Sequence, residues 1–262
     1  MCMRTYGDYV TRIVSKRGSW PECGINERLW ESLPGKGDIF VDVGANIGAC
    51  TFPMLSRVDV KSVFAFEPNP KNLFYLTSSV LQNPGLRERL RLFPIALGKK
   101  EQRASIAHPK QGGMGHSVVG AHSSHDVLDG EIDVLPLDRI LNSSTPIRVL
   151  KLDAEGFEIK VLRGADALLN SGSIAAIAFE VCPAWLKAQG GSALELLSIF
   201  VSKKYTLHRH ADSPQLSSSQ LCDFARGHWV KKNRPESNLV AKYAGISQEP
   251  LLCGSRKNTT TS

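Results

Sequence analysis

The chain is 262 residues long, 42% apolar and 22% charged, with a formal net charge of +7. That length and balance suit one sizeable soluble α/β domain and exclude a disordered chain or a miniature fold that depends on cross-links. No run approaches the roughly 18 consecutive apolar residues of a membrane span, and the start of the chain lacks the apolar core of a secretory signal, so a cytoplasmic protein with no transmembrane segment is expected.

Six cysteines (Cys2, Cys23, Cys50, Cys182, Cys222 and Cys253) are scattered without a Cys-x-x-Cys pair. This argues against a zinc ribbon and makes reduced, structural thiols the expectation. Asn142-Ser143-Ser144 and Asn258-Thr259-Thr260 match glycosylation sequons, a pattern too short to outweigh the missing signal. The basic residues are dispersed, and their small clusters at 87–91 and 231–234 lack interleaved aromatic residues. Nucleic acid is therefore not an expected partner.

Ile25, Leu29, Trp30 and Leu33 form a short amphipathic pattern, a helical cover over residues 1–36 that Pro34-Gly35-Lys36-Gly37 ends. Ile39 to Val43 reads as a strand, followed by a helix over about 47–57 in which Pro53 disturbs the regularity. Ser62 to Phe66 is a second strand, Asn72 to Val80 a helix, and Leu90 to Ala96 a third strand. The pattern lapses between Lys99 and Gly130, apart from a short strand at 104–107; a long excursion of this kind is usually functional or disordered. Ile147 to Leu152 is a fourth core strand, 157–169 one helix, Ile174 to Phe179 a fifth strand, and 194–201 a further helix. Tyr205 to His208 and Leu239 to Tyr243 complete the strands, and 211–227 shows little periodicity. The expected organisation is one domain over 37–245 and a polar, disordered tail over 246–262. Continuous apolar strands alternating with helices predict a doubly wound, mainly parallel sheet with helices on both faces.

Core strands end at Asp42, Glu67, Asp153 and Glu180, and parallel sheets bind ligands at that edge. After the first strand comes Asp42-Val43-Gly44-Ala45-Asn46-Ile47-Gly48, a tight turn in which glycine lets backbone approach a ligand closely. A dinucleotide site would need Gly-x-Gly-x-x-Gly, but the corresponding positions read Gly44, Asn46 and Ala49. Asp42 would also repel a diphosphate, whereas it suits the sulfonium and ammonium of S-adenosylmethionine. Glu67, closing the second strand, is placed to accept from two ribose hydroxyls.

These motifs resemble the FkbM family of S-adenosylmethionine-dependent methyltransferases. The resembling blocks are residues 40–48, 65–70, 96–98, 150–158 and 161–165, spread over roughly Gly37 to Tyr205. The most specific are Asp153-Ala154-Glu155-Gly156-Phe157-Glu158 and Leu162-Arg163-Gly164-Ala165. The resemblance implies a class I, Rossmann-like fold with a seven-stranded sheet and one antiparallel strand. It implies S-adenosyl-L-methionine as cofactor and transfer most often to a hydroxyl of a sugar or natural product. Cofactor contacts fall to Asp42, Gly44, Ala45, Asn46, Gly48, Glu67, Pro68 and Asn69, with Ala96 and Leu97 against the adenine. Glu27 matches, more weakly, a glutamate the family places before its first strand.

Methyl transfer needs an aligned nucleophile and, for a hydroxyl, a group that takes its proton. Asp153 is the first candidate for that role, with capping of the next helix as its alternative. His116 is the second, with His125 beside it in the loop, because histidine titrates near neutrality. Glu155 suits bracing of the loop or the first helical turn, and Glu180 suits the substrate pocket. His116, His122 and His125 do not match a recognised ligand spacing, so no metal is expected. A small-molecule or glycan acceptor is expected. The alternatives are a cofactor-binding module without catalysis and a protein or nucleic-acid methyltransferase.

Overall fold

A computed structural model of the chain describes residues 1–3, 9–109, 118–119, 126–227 and 237–253. The N-terminal segment forms α1 (Tyr9–Arg17) and α2 (Cys23–Glu31). β1 (Ile39–Val43) follows, then the short α3 (Thr51–Leu55), β2 (Ser62–Phe66), α4 (Pro70–Leu81), α5 (Pro84–Arg87) and β3 (Leu90–Phe93). Pro53 lies in the first turn of α3, where its missing N–H has no helical partner to lose. The helix is therefore shorter than expected, and residues 45–50 form a turn. α4 begins with Pro70 and is capped by Asn69, whose side chain accepts from the N–H groups of Lys71 and Asn72.

The expected third strand divides at Pro94. Ala96–Leu97 is a separate β4 that pairs in a second sheet with β5 (Gln102–Pro109), β6 (Val118–Val119) and β7 (Asp126–Leu135). β5 and β7 are antiparallel, so the described part of the 99–130 excursion is a hairpin rather than a structureless loop. Its exposed positions carry ion pairs such as Arg103–Glu131, which hide the strand signal in composition.

A 3-10 turn (Leu137–Arg139) leads to β8 (Ile147–Leu152), which is buried at every position. Two helices replace the one expected over 157–169, α6 (Glu158–Arg163) and α7 (Asp166–Ser171). The break falls at Gly164, where an added Cβ would stand 2.0 Å from the carbonyl oxygen of Gly98. β9 (Ile174–Val181), α8 (Pro183–Ala188), α9 (Ala193–Ser202), β10 (Tyr205–His208), α10 (Ser218–Ala225) and β11 (Ser237–Tyr243) complete the order. α10 lies in the stretch of weak periodicity and is held by a capping box between Ser217 and Gln220.

The main sheet has the order β10-β11-β9-β8-β1-β2-β3. β1 pairs in parallel with β2 and β8, and only β11 runs antiparallel to its neighbours, as in a class I methyltransferase fold. One apolar core joins the sheet to α6, α7, α9 and the second sheet; the other joins it to α2 and α3. Among the described residues, no helix is long and apolar enough to cross a membrane.

The cysteine expectation is corrected. Cys23 is joined to Cys50 and Cys222 to Cys253, while Cys2 and Cys182 are free. Folding brings together sulfurs separated by 27 and 31 residues, and spacing in a sequence does not encode such pairing. The cytosolic expectation loses its support from reduced thiols, because disulfides persist mainly in oxidising compartments. Residues 246–253, expected as part of the tail, pack through buried Leu251, a Gln248 Nε2 donation to the Tyr205 carbonyl at 2.7 Å, and Cys253. Replacing Cys222 and Cys253 with serine is expected to lower unfolding free energy by about 3–4 kcal/mol, from loop closure alone. A urea midpoint equal to that of the wild-type protein would show that these sulfurs are not joined.

Candidate cofactor and methyl-transfer site

The turn after β1 is tied to the end of β2. Gly44 and Ala45 both donate to the Phe66 carbonyl at 3.0 Å. Gly44 has φ +78°, and a Cβ there would stand 1.9 Å from the Asp153 carbonyl oxygen, so only glycine lets these two strand ends meet. Asn46 takes φ +52°, a conformation asparagine tolerates, and its Oδ1 accepts from the N–H of Ile47. Gly48 closes the turn at φ +92°.

Glu67 is almost fully buried. Its carboxylate accepts from Asn46 N at 2.7 Å, Asn69 N at 2.8 Å and Asn72 Nδ2 at 3.2 Å. Burial pushes its carboxyl up to about 7 despite these donors, and the nearby Glu155 charge acts in the same direction. Between the turn and Glu67 opens a cavity continuous with solvent. Gly44, Asn46, Glu67, Pro68, Asp153 and Glu155 line it, with Phe66, Ala96 and Leu97 forming an apolar side. Among the described residues, its wall contains three carboxylates and neither lysine nor arginine.

Asp42, Ala45, Gly48 and Asn69 lie outside that wall. Asp42 is fully buried; Thr51 Oγ1 donates to its Oδ2 at 2.6 Å, and Lys151 Nζ stands 3.2 Å from its Oδ1. The Lys151 contact is an ion pair without hydrogen-bond alignment, which leaves Oδ1 with no hydrogen-bond donor. Lys151 also pairs with Asp153 at 3.3 Å and donates to the Gly44 carbonyl at 2.9 Å. Burial opposes its charge, but the Asp42 and Asp153 carboxylates outweigh burial and hold the ammonium above the ordinary lysine range. Sequence reasoning passed over Lys151, although a lysine near the end of a core strand buried at every position is itself a signal.

Glu158 braces the loop after β8. Its Oε1 accepts from the N–H groups of Ala154 at 3.0 Å and Gly156 at 3.1 Å, and burial pushes its carboxyl up to about 7. Glu155 faces the cavity at φ +51°. Glu180 lies on β9 opposite Asn238 of β11 and is not in the cavity wall. His116, His122 and His125 lie outside the described residues. Among the described residues no cluster of three or more metal-ligating side chains occurs. A histidine not anticipated, His108, pairs through Nδ1 with Asp129 Oδ2 at 2.7 Å, and Lys71 holds Asp129 from the other side.

Glu22 also emerges only in three dimensions. It precedes α2 and is bonded by Trp20 Nε1 at 3.2 Å and by the Asn238 side chain, within reach of the charges of Asp153 and Lys151. Glu27, the glutamate suggested by the resemblance, lies further along, within α2.

Two outcomes follow from this electrostatic arrangement. Lys151→Met leaves two carboxylates facing each other without a counter-ion and is expected to destabilise the fold by about 3–5 kcal/mol. Adding Asp42→Asn should recover part of that loss in urea unfolding; strictly additive losses would contradict a coupled pair. Glu67 and Glu158 have folded values near 7 against an ordinary 4.5, so the native state binds more protons than the unfolded chain between these limits. Their stabilising contribution is complete below about pH 4.5 and is lost as pH rises through 7. Glu158→Gln, whose amide oxygen still accepts from both N–H groups, should flatten this fall in a pH series of urea midpoints.

A family model described as the methyltransferase FkbM domain matches residues 42–207, well over half of the chain. The hexuronic acid methyltransferase AglP of Haloferax volcanii is 29% identical over 139 residues, covering 51% of this chain and 52% of AglP. A methyltransferase FkbM from Methylobacillus flagellatus superposes with a TM-score of 0.47 at 18% identity, covering 82% of this chain and 48% of the other. An rRNA methylase from Streptococcus thermophilus gives 0.44 at 15% identity, with 83% and 92% covered. The chain thus spans about half the length of AglP and of the Methylobacillus protein. With the family match running from the carboxylate of the first turn to the strand at Leu207, the chain belongs to the FkbM methyltransferases.

Proposed function

We propose that the protein transfers a methyl group from S-adenosyl-L-methionine to an oxygen of a small molecule, sugar or glycan. The carrying observation is the acidic wall: among the described residues Glu67, Asp153 and Glu155 line the cavity and no lysine or arginine does, although Lys151 pairs with Asp153 from behind. Such a wall repels a diphosphate and suits a cofactor whose charged groups include a sulfonium and an ammonium. Glu67 offers acceptor oxygens to a vicinal diol, while Phe66, Ala96 and Leu97 provide a flat apolar side for a base. Bound there, the cofactor would supply an electrophilic methyl group. The chain's own residues hold it, orient the acceptor and deal with the acceptor's proton.

AglP acts, by its name, on a hexuronic acid, which makes a uronic acid the first acceptor to examine. A net charge of +7 agrees with attraction of an anionic glycan at low ionic strength. The two disulfides favour an oxidising place of work.

Calorimetry with S-adenosylhomocysteine should show roughly micromolar binding. Glu67→Gln should weaken it by about 10- to 100-fold, the scale of hydrogen bonds to a charged group. A diol donating to Glu67 prefers the ionised carboxylate, so binding should tighten as pH rises through about 7 and should release a proton. No binding by folded protein would sink the proposal. Labelled methyl transfer to D-glucuronic acid, compared with neutral sugars, then separates the acceptor classes.

A further inference from the structure

Asp129 breaks the regular pairing of the hairpin. Between β5 and β7 the register runs Ile106 opposite Gly130 and then Ala107 opposite Leu128, so Asp129 is the extra residue of a β-bulge. Val134 and Ile132 are buried, and strict alternation would continue their face to residue 130. The bulge turns residue 129 inward instead, with Gly130 at φ +130° and Leu128 left exposed. The Asp129 side chain is only 3% exposed, a costly place for a carboxylate unless partners meet it.

Those partners stand at the joint between β2 and α4. Asp129 Oδ1 pairs with Lys71 Nζ at 2.7 Å. Its Oδ2 pairs with His108 Nδ1 at 2.7 Å and accepts from Asn69 Nδ2 at 3.5 Å. Burial opposes the charge of Asp129, but Lys71 and His108 outweigh burial and hold its carboxyl below the usual range. Asn69 is thereby tied in three directions. Its Nδ2 faces Asp129, and its Oδ1 accepts from the N–H groups of Lys71 at 2.8 Å and Asn72 at 3.4 Å. Its own N–H donates to Glu67 Oε1 at 2.8 Å. An amide side chain has one donor end and one acceptor end, so a carboxylate at the donor end turns the oxygen toward α4. Asn69 lies outside the cavity wall, yet it bonds to Glu67 and Asn72, which line it.

We propose that Asp129 is a positioning residue for cofactor binding: from the bulge of the second sheet it fixes the Asn69 side chain, and through Asn69 the Glu67 carboxylate that meets the ribose. This rests on the methyl-transfer reading above. The hairpin sheet is then a working part of the cofactor site, and the bulge is the device that aims its carboxylate.

The test uses Asp129→Ala and Asn69→Ser, the second of which keeps a helix-capping oxygen but loses the amide that reaches Asp129. Asp133→Asn is the control, since Asp133 pairs with Arg103 on the exposed side of the same strand. Calorimetry with S-adenosylhomocysteine should show binding weakened about 10-fold by either change, the scale of one hydrogen bond to a charged group, and unaltered by Asp133→Asn. In a Glu67→Gln background the same changes should weaken binding by less than about twofold, because the group they act through is gone. Without ligand, amide hydrogen exchange in Asp129→Ala should speed about 10-fold at residues 69 and 71 while the β1 amides keep wild-type rates. Wild-type affinity in the variants, an undiminished loss in the Glu67→Gln background, or exchange that is unchanged at residue 69 or faster throughout β1 overturns the assignment. If Asp129→Ala does not fold, Asn69→Ser decides by its affinity, its coupling to Glu67→Gln and exchange at residue 69. If wild type does not bind S-adenosylhomocysteine, the methyl-transfer reading fails, and exchange at residue 69 alone decides whether Asp129 positions the Glu67 loop.

Discussion

The site depends on one buried ammonium. β1 and β8 lie side by side in parallel with Asp42 opposite Lys151, so two adjacent strand ends bring a fully buried Asp42 and a half-buried Asp153 to one ammonium. Without Lys151 between them, Asp42 and Asp153 would repel at low dielectric. Lys151 also donates to the carbonyl of Gly44, which links the turn, β1 and β8 through one side chain. Burying such a triad carries a desolvation penalty that its mutual attraction only partly offsets. Its return is geometric: the glycine turn and the Asp153 loop keep a fixed relation to each other.

The remaining contacts extend this frame. Glu67 gathers the backbone of Asn46 and Asn69, so the carboxylate proposed to meet the ribose also shapes the loops around it. Glu158 does the same for the loop after β8, and that loop presents Asp153 and Glu155 to the cavity. The Cys23–Cys50 bond fastens the start of α2 beside the turn after β1. On the other side, Asp129 of the hairpin sheet reaches Lys71 and His108 and fastens that sheet to the start of α4. Positioning of this kind, achieved before any ligand arrives, is what a displacement at a methyl carbon requires.

Much of the frame was readable because local rules and the fold agree. Apolar runs ending in Asp42, Glu67 and Asp153 are the continuous strands of a sheet covered on both faces, and Gly44 and Gly48 have the positive φ that a tight turn needs. The misreadings have physical causes. The 157–169 helix breaks because Gly164 must pass the Gly98 carbonyl, a contact between residues far apart in sequence. Of the hairpin only short pieces such as 104–107 were legible, because the pairing of β5 with β7 joins residues well apart in sequence. α10 escaped because its signal is the Ser217–Gln220 cap rather than a long apolar stripe.

Residue types and their order were enough to determine the strand-and-turn scheme, the acidic strand ends, the departure from a diphosphate-binding turn and the family resemblance, since each is written within a few neighbouring residues. Only the tertiary structure decided which cysteines join, which carboxylates share Lys151, and that Glu158 braces the loop. Those outcomes are set by distances through space between groups remote in the chain, and periodicity and local motifs carry no record of them.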